Sequence, residues 1–301
     1  RVEALRARAR DTAGQTEALL SRAFLRRFDA SVDVSVQQVL SGADRLADGR
    51  LHLELAGGRL DIDPLEVNMP GGGARLYGNY DTSRREVEVT AGARIERFEY
   101  GVLARRNRPD ADIQGLLSLD MEIRSTAPSL ESIFAHADGH FDFAVWPKNL
   151  RGGVFDRWSV NMFLELLPFL DPGRESQVNC FVGRLDLKDG LLTHDALVID
   201  TTRVRALGAG RADLRTEEIA FRFRPRAKGV AFFSLQTPLS ITGTMNDFTV
   251  APTRGDFFEA FARLFTSAIT VPLEMLRYGP LPLDGADVCS DPLRASGGSA
   301  P

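Results

Sequence analysis

The order of apolar and polar residues splits the chain into a long region of period two and shorter stretches of helical period. From Phe28 onward Ala30, Val32, Val34 and Val36 alternate with Asp29, Ser31, Asp33 and Ser35. This predicts a strand with one wet face. Leu51, Leu53 and Leu55 alternate with His52 and Glu54, and Leu60 and Ile62 follow, then Leu65, Val67 and Met69. Val87, Val89, Ala91 and Ala93 repeat the pattern, as do Leu117, Leu119, Met121 and Ile123, then Phe141, Phe143 and Val145. Further runs are Val178–Cys180–Val182, Leu185–Leu187, Ile219–Phe221–Phe223 and Ile241–Gly243–Met245. Asp48-Gly49, Gly57-Gly58, Gly71-Gly72-Gly73 and Asp189-Gly190 read as turns between runs. The expected fold is mainly β, an antiparallel meander of roughly ten or more strands.

Helical period appears in four places. Over residues 2–27, Val2, Leu5, Ala9, Leu19, Leu20, Ala23 and Phe24 recur at helical spacing, with Arg6, Arg10, Arg22, Arg26 and Arg27 on other faces. That segment fits a solvated helix packed on the next element, and also an amphipathic helix on a membrane surface. Residues 129–137 form a short predicted helix with Ser129 as N-cap. Residues 154–167 form another, with Phe155, Trp158, Met162, Phe163, Leu166 and Leu167 on one side and Pro168 as its stop. Residues 255–277 carry a Phe-rich stripe, kinked or broken at Pro272, that is expected to pack against the open side or end of the sheet. The Pro-, Gly- and Ser-rich tail ends in a stretch expected to be disordered.

A weak repeat underlies the meander. Gly58-Arg-Leu-Asp-Ile-Asp-Pro-Leu-Glu-Val, Gly73 to Gly78 and Glu86-Val-Glu-Val form one copy. Gly190-Leu-Leu-Thr-His-Asp-Ala-Leu-Val-Ile, Gly208 to Leu214 and Ile219 to Phe223 form the other. A repeated three-strand unit lets a sheet grow along one axis, each unit touching mainly its neighbours.

Composition narrows the function classes. The chain has 301 residues and a net charge of -4, which argues against a dedicated nucleic-acid binder. No run reaches the roughly 18–20 apolar residues needed to span a bilayer, and the start at Arg1 is mid-helix in character, so any anchor is expected upstream of this chain. His136 and His140 have the spacing of a helical metal pair, but Gly139 lies between them and a strand follows, so no metal is expected there. No nucleophile elbow, phosphate loop or dinucleotide fingerprint appears. Gly208-Ala-Gly210 is better read as a close strand crossing. Scattered carboxylates on wet strand faces select no catalytic pair, and neither catalytic residues nor a cofactor are assigned. Cys180 and Cys289 form one disulfide if the compartment is oxidising, and are otherwise simply small buried residues.

The ordered set of segments resembles the C-terminal region of the AsmA-like family. It opens on Phe28-Asp-Ala-Ser-Val-Asp-Val and continues through Leu46-Ala-Asp-Gly-Arg-Leu-His-Leu-Glu-Leu-Ala-Gly-Gly-Arg-Leu-Asp-Ile-Asp-Pro-Leu. A glycine-bracketed strand from Gly73 to Gly78 follows, then Asn179-Cys-Phe-Val-Gly-Arg-Leu-Asp-Leu-Lys-Asp-Gly, Leu197-Val-Ile-Asp-Thr and Gly208-Ala-Gly-Arg-Ala-Asp-Leu. An apolar helix holding Val271-Pro-Leu and a second cysteine close it. Residues 146–170 depart from the family, because strand alternation stops after Val145. The resemblance implies an elongated, curved antiparallel β-groove over residues 28–253, preceded by a helix or linker at 1–27. An apolar helix and tail would follow at 254–290, and a disordered tail at 291–301. It implies a periplasmic protein tied to the inner membrane of a Gram-negative bacterium by a segment outside this chain. Phospholipid would be the partner, its acyl chains shielded or moved between the two membranes without chemistry. The alternative is a structural module assisting outer-membrane protein assembly through its sheet edges.

Expected groove-lining positions are Leu51, Leu53, Leu55, Leu60, Ile62, Val87, Val89, Leu117, Leu119, Met121, Phe141, Phe143, Phe221 and Phe223, with ordinary core packing as the other reading of the same alternation. In the oxidising compartment that the resemblance implies, Cys180 and Cys289 are expected to pair and tether the C-terminal segment to the sheet.

Overall fold

The structure is a computed structural model that describes residues 19–41, 44–69, 71–102, 105, 114–148, 177–228, 238–245, 247–252, 281–290 and 293. Thirteen strands form one sheet in which every strand pairs only with its sequence neighbours, all antiparallel. They are β1 (Ala30–Ser41), β2 (Asp44–Ala56), β3 (Arg59–Met69), β4 (Gly72–Asp81), β5 (Val87–Glu99), β6 (Gln114–Ala127) and β7 (Ala137–Lys148). The second half holds β8 (Val178–Lys188), β9 (Leu191–Thr201), β10 (Val204–Asp213), β11 (Glu218–Ala227), β12 (Leu239–Thr244) and β13 (Phe248–Pro252). The result is an open, curved, β-rich sheet, as the period-two pattern leads one to expect. Among the described residues it is accompanied by the one-turn helices α1 (Arg22–Leu25) and α2 (Ala286–Cys289).

Two local readings are corrected, and β7 proves longer than its alternation. Asp48-Gly49 lies inside β2, not in a turn. A Cβ at Gly49 would lie 2.4 Å from the Glu66 carbonyl oxygen, so this glycine serves close approach of two backbones. Residues 129–137 form two 3-10 turns, Leu130–Ser132 and Phe134–His136, and Ala137 already begins β7. β7 runs through Trp146 and Pro147 to Lys148 and pairs with β8, so the sheet is continuous where alternation stops. The helices predicted at 154–167 and 255–277, most of the one at 2–27, and the tail from 294 lie outside the described residues.

The repeat is visible in the ladder. β3–β5 and β9–β11 are its two copies. The β3–β4 register shifts between Ile62 and Leu65, and the β9–β10 register shifts between Leu197 and Thr193. Aligned copies put Asp63-Pro64 opposite Asp195-Ala196, so the same extra residue bends the same strand twice. Such bulges increase local twist and help a long sheet to curl.

The two ends of the sheet are finished differently. At the end carrying the β2–β3 and β4–β5 turns, α1 buries Leu25. Its Arg22 and Arg26 donate to the carbonyls of Arg85 and Ser83. Tyr80 donates to the Leu20 carbonyl from the sheet. The opposite end receives the segment containing α2.

Candidate functional site

Cross-strand partners in an antiparallel ladder share a face, so the register follows one face across the molecule. Val32 and Val34 face Leu53 and Leu51, and Leu53 and Leu55 face Ile62 and Leu60. Leu60 and Ile62 face Tyr80 and Gly78, which face Val89 and Ala91. Ala91, Ala93 and Ile95 face Ile123, Met121 and Leu119. Met121, Leu119 and Leu117 face Phe141, Phe143 and Val145, which face Leu185, Gly183 and Phe181. The face continues through Leu197 and Ile199, Gly208 and Ala206, Phe223 and Phe221, and Leu239 and Ile241 to Val250. Every groove candidate read from the sequence lies on this one apolar face.

The face has two regimes. Over β8–β12 it is a packed core of Phe181, Leu185, Leu197, Ile199, Ile219, Phe223, Leu239 and Ile241, with Ile241 at 0% exposure. Over β1–β7 it is largely half-open. Val32, Val34 and Val36 are exposed, and so is Leu76. Leu51, Leu53, Leu60, Ile62, Val89, Leu117, Leu119, Met121, Phe141 and Phe143 are half-buried. Among the candidates, Leu55, Val87 and Phe223 are buried, and Phe141 and Phe221 pack against the closed core. The β1 valines belong to the open region, although they are absent from the sequence-derived lining; their clean alternation was the available signal.

Aromatic rings line this face without standing up from it. A Cβ at Gly183 would lie 2.2 Å from the Phe143 ring, and one at Gly208 would lie 2.6 Å from the Phe223 ring. Each ring therefore lies along its cross-strand glycine.

The opposite face carries cross-strand charge pairs, with an apolar patch, Ala144, Cys180, Val182 and Trp146, packed under Val288 and Cys289. Glu66 accepts from Arg50 and Arg75. These two hydrogen bonds, Arg50 first, hold its carboxyl below the usual range. Arg215 holds half-buried Asp213 down to about 2, chiefly by a side-chain hydrogen bond. Burial, with Glu99 adding, pushes the Tyr100 phenol up to about 12. His136 approaches Asp189 and His140 approaches Asp120, so the two histidines have separate partners. No group of three or more His, Cys, Asp or Glu among the described residues is placed to hold a metal ion. His52 Nδ1 lies 2.7 Å from Asp33 Oδ1, and the two line an open depression with Arg50, Asp63 and Glu66; the Asp33 side chain is 80% exposed there, so the pair is solvated like the other contacts of this face.

One polar cluster on that face is different, because it is buried. Asp200 (0% exposed) accepts from Asn179 Nδ2 at 2.7 Å, Arg205 Nε at 2.8 Å and Lys228 Nζ at 2.6 Å. Lys228 also donates to the carbonyls of Pro282 and Leu283. Arg205 forms a two-pronged pair with Asp287, at 2.7 and 2.6 Å. Trp146 Nε1 donates to the Cys289 carbonyl, and Cys289 is disulfide-bonded to Cys180 with Cα atoms 5.9 Å apart. Gly285 turns the chain in the left-handed region, where a Cβ would meet Asp200 Oδ2 at 2.2 Å. The tether was legible in the sequence. The ion cluster was not, since its members are scattered from residue 179 to 287 and no local pattern marks them.

Hydrogen bonding to Arg205 is the main cause that lowers the Asp287 carboxyl pKa below its ordinary 3.8. A carboxyl depressed in the folded state adds stability above its unfolded pKa and loses it as pH falls through the folded value. Asp287→Asn is therefore expected to cost about 1–2 kcal/mol at pH 7, discounted because Asp287 is partly exposed and Arg205 keeps Asp200. The difference from the parent should begin to shrink as the pH falls below 3.8 and vanish only once the pH has passed the lower folded value. Urea unfolding followed from pH 7 down to about pH 2 checks both; a difference independent of pH would rule out the ionic contribution.

Comparison with known proteins gives one family and one relative. The family model described as AsmA family matches residues 9–197. The AsmA family protein YhjG of Escherichia coli (strain K12) is 20% identical over 224 residues, 73% of this chain and 32% of the relative. The chain thus spans about a third of that relative's length. No solved structure matches the chain significantly.

Proposed function

Because this chain belongs to the AsmA family, we propose that it is a lipid-handling module of the bacterial envelope that shelters phospholipid acyl chains on the open half of its apolar face. Family membership suggests a role in envelope or lipid-related biogenesis; acyl-chain shielding, passage between the membranes and inner-membrane anchoring are the further steps of this reading. The observation that carries it is the half-open apolar face continuous over β1–β7. Exposing an acyl chain to water costs roughly 0.8 kcal/mol per CH₂, so a chain of about 16 carbons costs on the order of 12 kcal/mol. An apolar strip with a wet opposite face offsets that cost and leaves the head group in water. The work is physical, needing continuity of lining and no reacting group, so the module acts without catalysis. The disulfide is consistent with a periplasmic setting.

Solvent extraction of the purified full chain, followed by mass spectrometry, is expected to recover phospholipid in near-stoichiometric amount. A lipid-free protein that also fails to take up a fluorescent phospholipid would overturn the reading. It would favour the alternative that β1, an edge strand at the border of the sheet, pairs with strands of a partner during outer-membrane protein assembly.

A further inference from the structure

We propose that residues 281–290 are a redox-gated clasp that holds the C-terminal half of the sheet curled around its apolar core. The segment grips consecutive strands from outside. Asn179 and Cys180 belong to β8, Asp200 to β9, Arg205 to β10, and Lys228 follows β11 directly. Each contacts the segment or the cluster beneath it: Asn179 Nδ2 reaches the Leu283 carbonyl at 2.7 Å, and Lys228 Nζ reaches the Pro282 carbonyl at 2.7 Å. On the reverse side of these strands lie Phe181, Leu197, Ile199, Ala206 and Phe223, the packed part of the apolar face. The strands that the segment does not touch, β1–β6, all have a largely half-open apolar face; β7 is the border, where Trp146 donates to the Cys289 carbonyl.

Docking is cooperative, because the buried charges need it. Lys228 and Asp200 have fully buried side chains. If the segment lifts, Lys228 loses two carbonyl acceptors and Arg205 loses Asp287, while both stay tied to Asp200. A partly satisfied buried network is worse than a complete one, so the intermediate positions are disfavoured. Yet the segment has little internal structure to keep these contacts aligned. α2 is a single turn, too short to persist alone, and Leu283 is 63% exposed. The covalent link between Cys180 and Cys289 keeps the segment at the site.

The gate is thiol–disulfide exchange with an external dithiol. One thiolate of the reductant attacks a sulfur of the bridge, and its second thiol completes the exchange. The reductant is oxidised to its own disulfide, and Cys180 and Cys289 each gain an electron and a proton as free thiols. Both cysteines are buried, so exchange waits on transient lifting of the segment and the gate is slow. Opening releases the outer grip on β8–β11. Only the consequence that this extends the open apolar face toward the C-terminus rests on the lipid-handling reading.

Hydrogen exchange followed by mass spectrometry on the full chain, lipid-free, tests the clasp separately from that reading. Oxidised protein, dithiothreitol-reduced protein and the Cys180→Ser/Cys289→Ser variant are compared, with reduction verified by alkylation. Val288 and Cys289, whose amides donate to the Gly285 carbonyl, are expected to lose about tenfold protection on reduction. Thr202 and Lys228, bonded to Gln177 and Arg203, should lose protection with them. β1–β6 should stay within about twofold. The serine variant should behave like the reduced parent. Unchanged protection at residues 286–289 in fully reduced protein overturns the gate. Loss confined to residues 281–290 makes the segment a tether without grip, and loss spread evenly over β1–β6 makes the disulfide a global staple; either result overturns the proposal.

Discussion

Asp200→Ala is expected to lower stability by about 3–5 kcal/mol, because it strands the buried Lys228 cation and takes from Arg205 one of its two carboxylates, leaving it Asp287. Asp200 takes hydrogen bonds from Arg205, Lys228 and Asn179, and the Lys228 side chain is 0% exposed. Without the carboxylate, Lys228 keeps only the carbonyls of Pro282 and Leu283, and its charge is no longer balanced within the buried site. Removing one partner of a buried pair costs far more than the pair contributes, since the remaining charge stays out of water. Glu96→Ala is the control. Glu96 pairs with Arg94 on the solvated face with its side chain 69% exposed, and its removal should barely move the unfolding midpoint. Urea unfolding of oxidised protein measures both. A loss below about 1 kcal/mol for Asp200→Ala would mean that water reaches Lys228 and that the cluster is not buried in solution.

How much of this was legible follows from where each piece of information sits along the chain. A strand with one wet face writes its geometry into every second residue, so the course of the sheet and the sharing of one face by Leu51, Leu119, Phe141 and Phe221 could be read directly. The three-residue spacing of Asp63-Pro64-Leu65 against Asp195-Ala196-Leu197 even exposed the repeat. Glycine was less reliable, because it serves two purposes. Gly57 and Gly58 mark a turn, whereas Gly49 and Gly183 mark close approaches within strands. Two features had no local signature at all. Asp200, Arg205, Lys228 and Asp287 each look like an ordinary wet-face charge until the C-terminal segment folds over them. Likewise, alternation is the same whether the apolar side is open, as at Leu119, or closed, as at Ile199. Burial of that side depends on curvature and on what lies across it, which a strand's own sequence does not encode.

That distinction yields the sharpest comparison the fold allows, Leu119→Arg against Ile241→Arg. Both residues point to the same apolar face, from β6 and β12, and both changes place the same long cation there. Leu119 is half-buried in the open region, between Ile95 and Phe143. An arginine there extends its stem along the face and carries its charged end to water. The expected cost is about 1–2 kcal/mol, with β-sheet circular dichroism retained. Ile241 is 0% exposed within the closed core of Leu197, Ile199, Ile219 and Phe223. An arginine there has neither a route to water nor a partner, and the chain is expected to fail to fold. Lipid yield separates the function from the scaffold. Leu119→Arg should lower recovered phospholipid several-fold while the protein remains folded, because a charge on the strip breaks the continuity that shields an acyl chain. Should Leu119→Arg unfold as Ile241→Arg does, the face at β6 is core and the open strip ends before it. Should it fold normally and retain its full complement of lipid, the lipid rests elsewhere and the β1–β7 face is not its path.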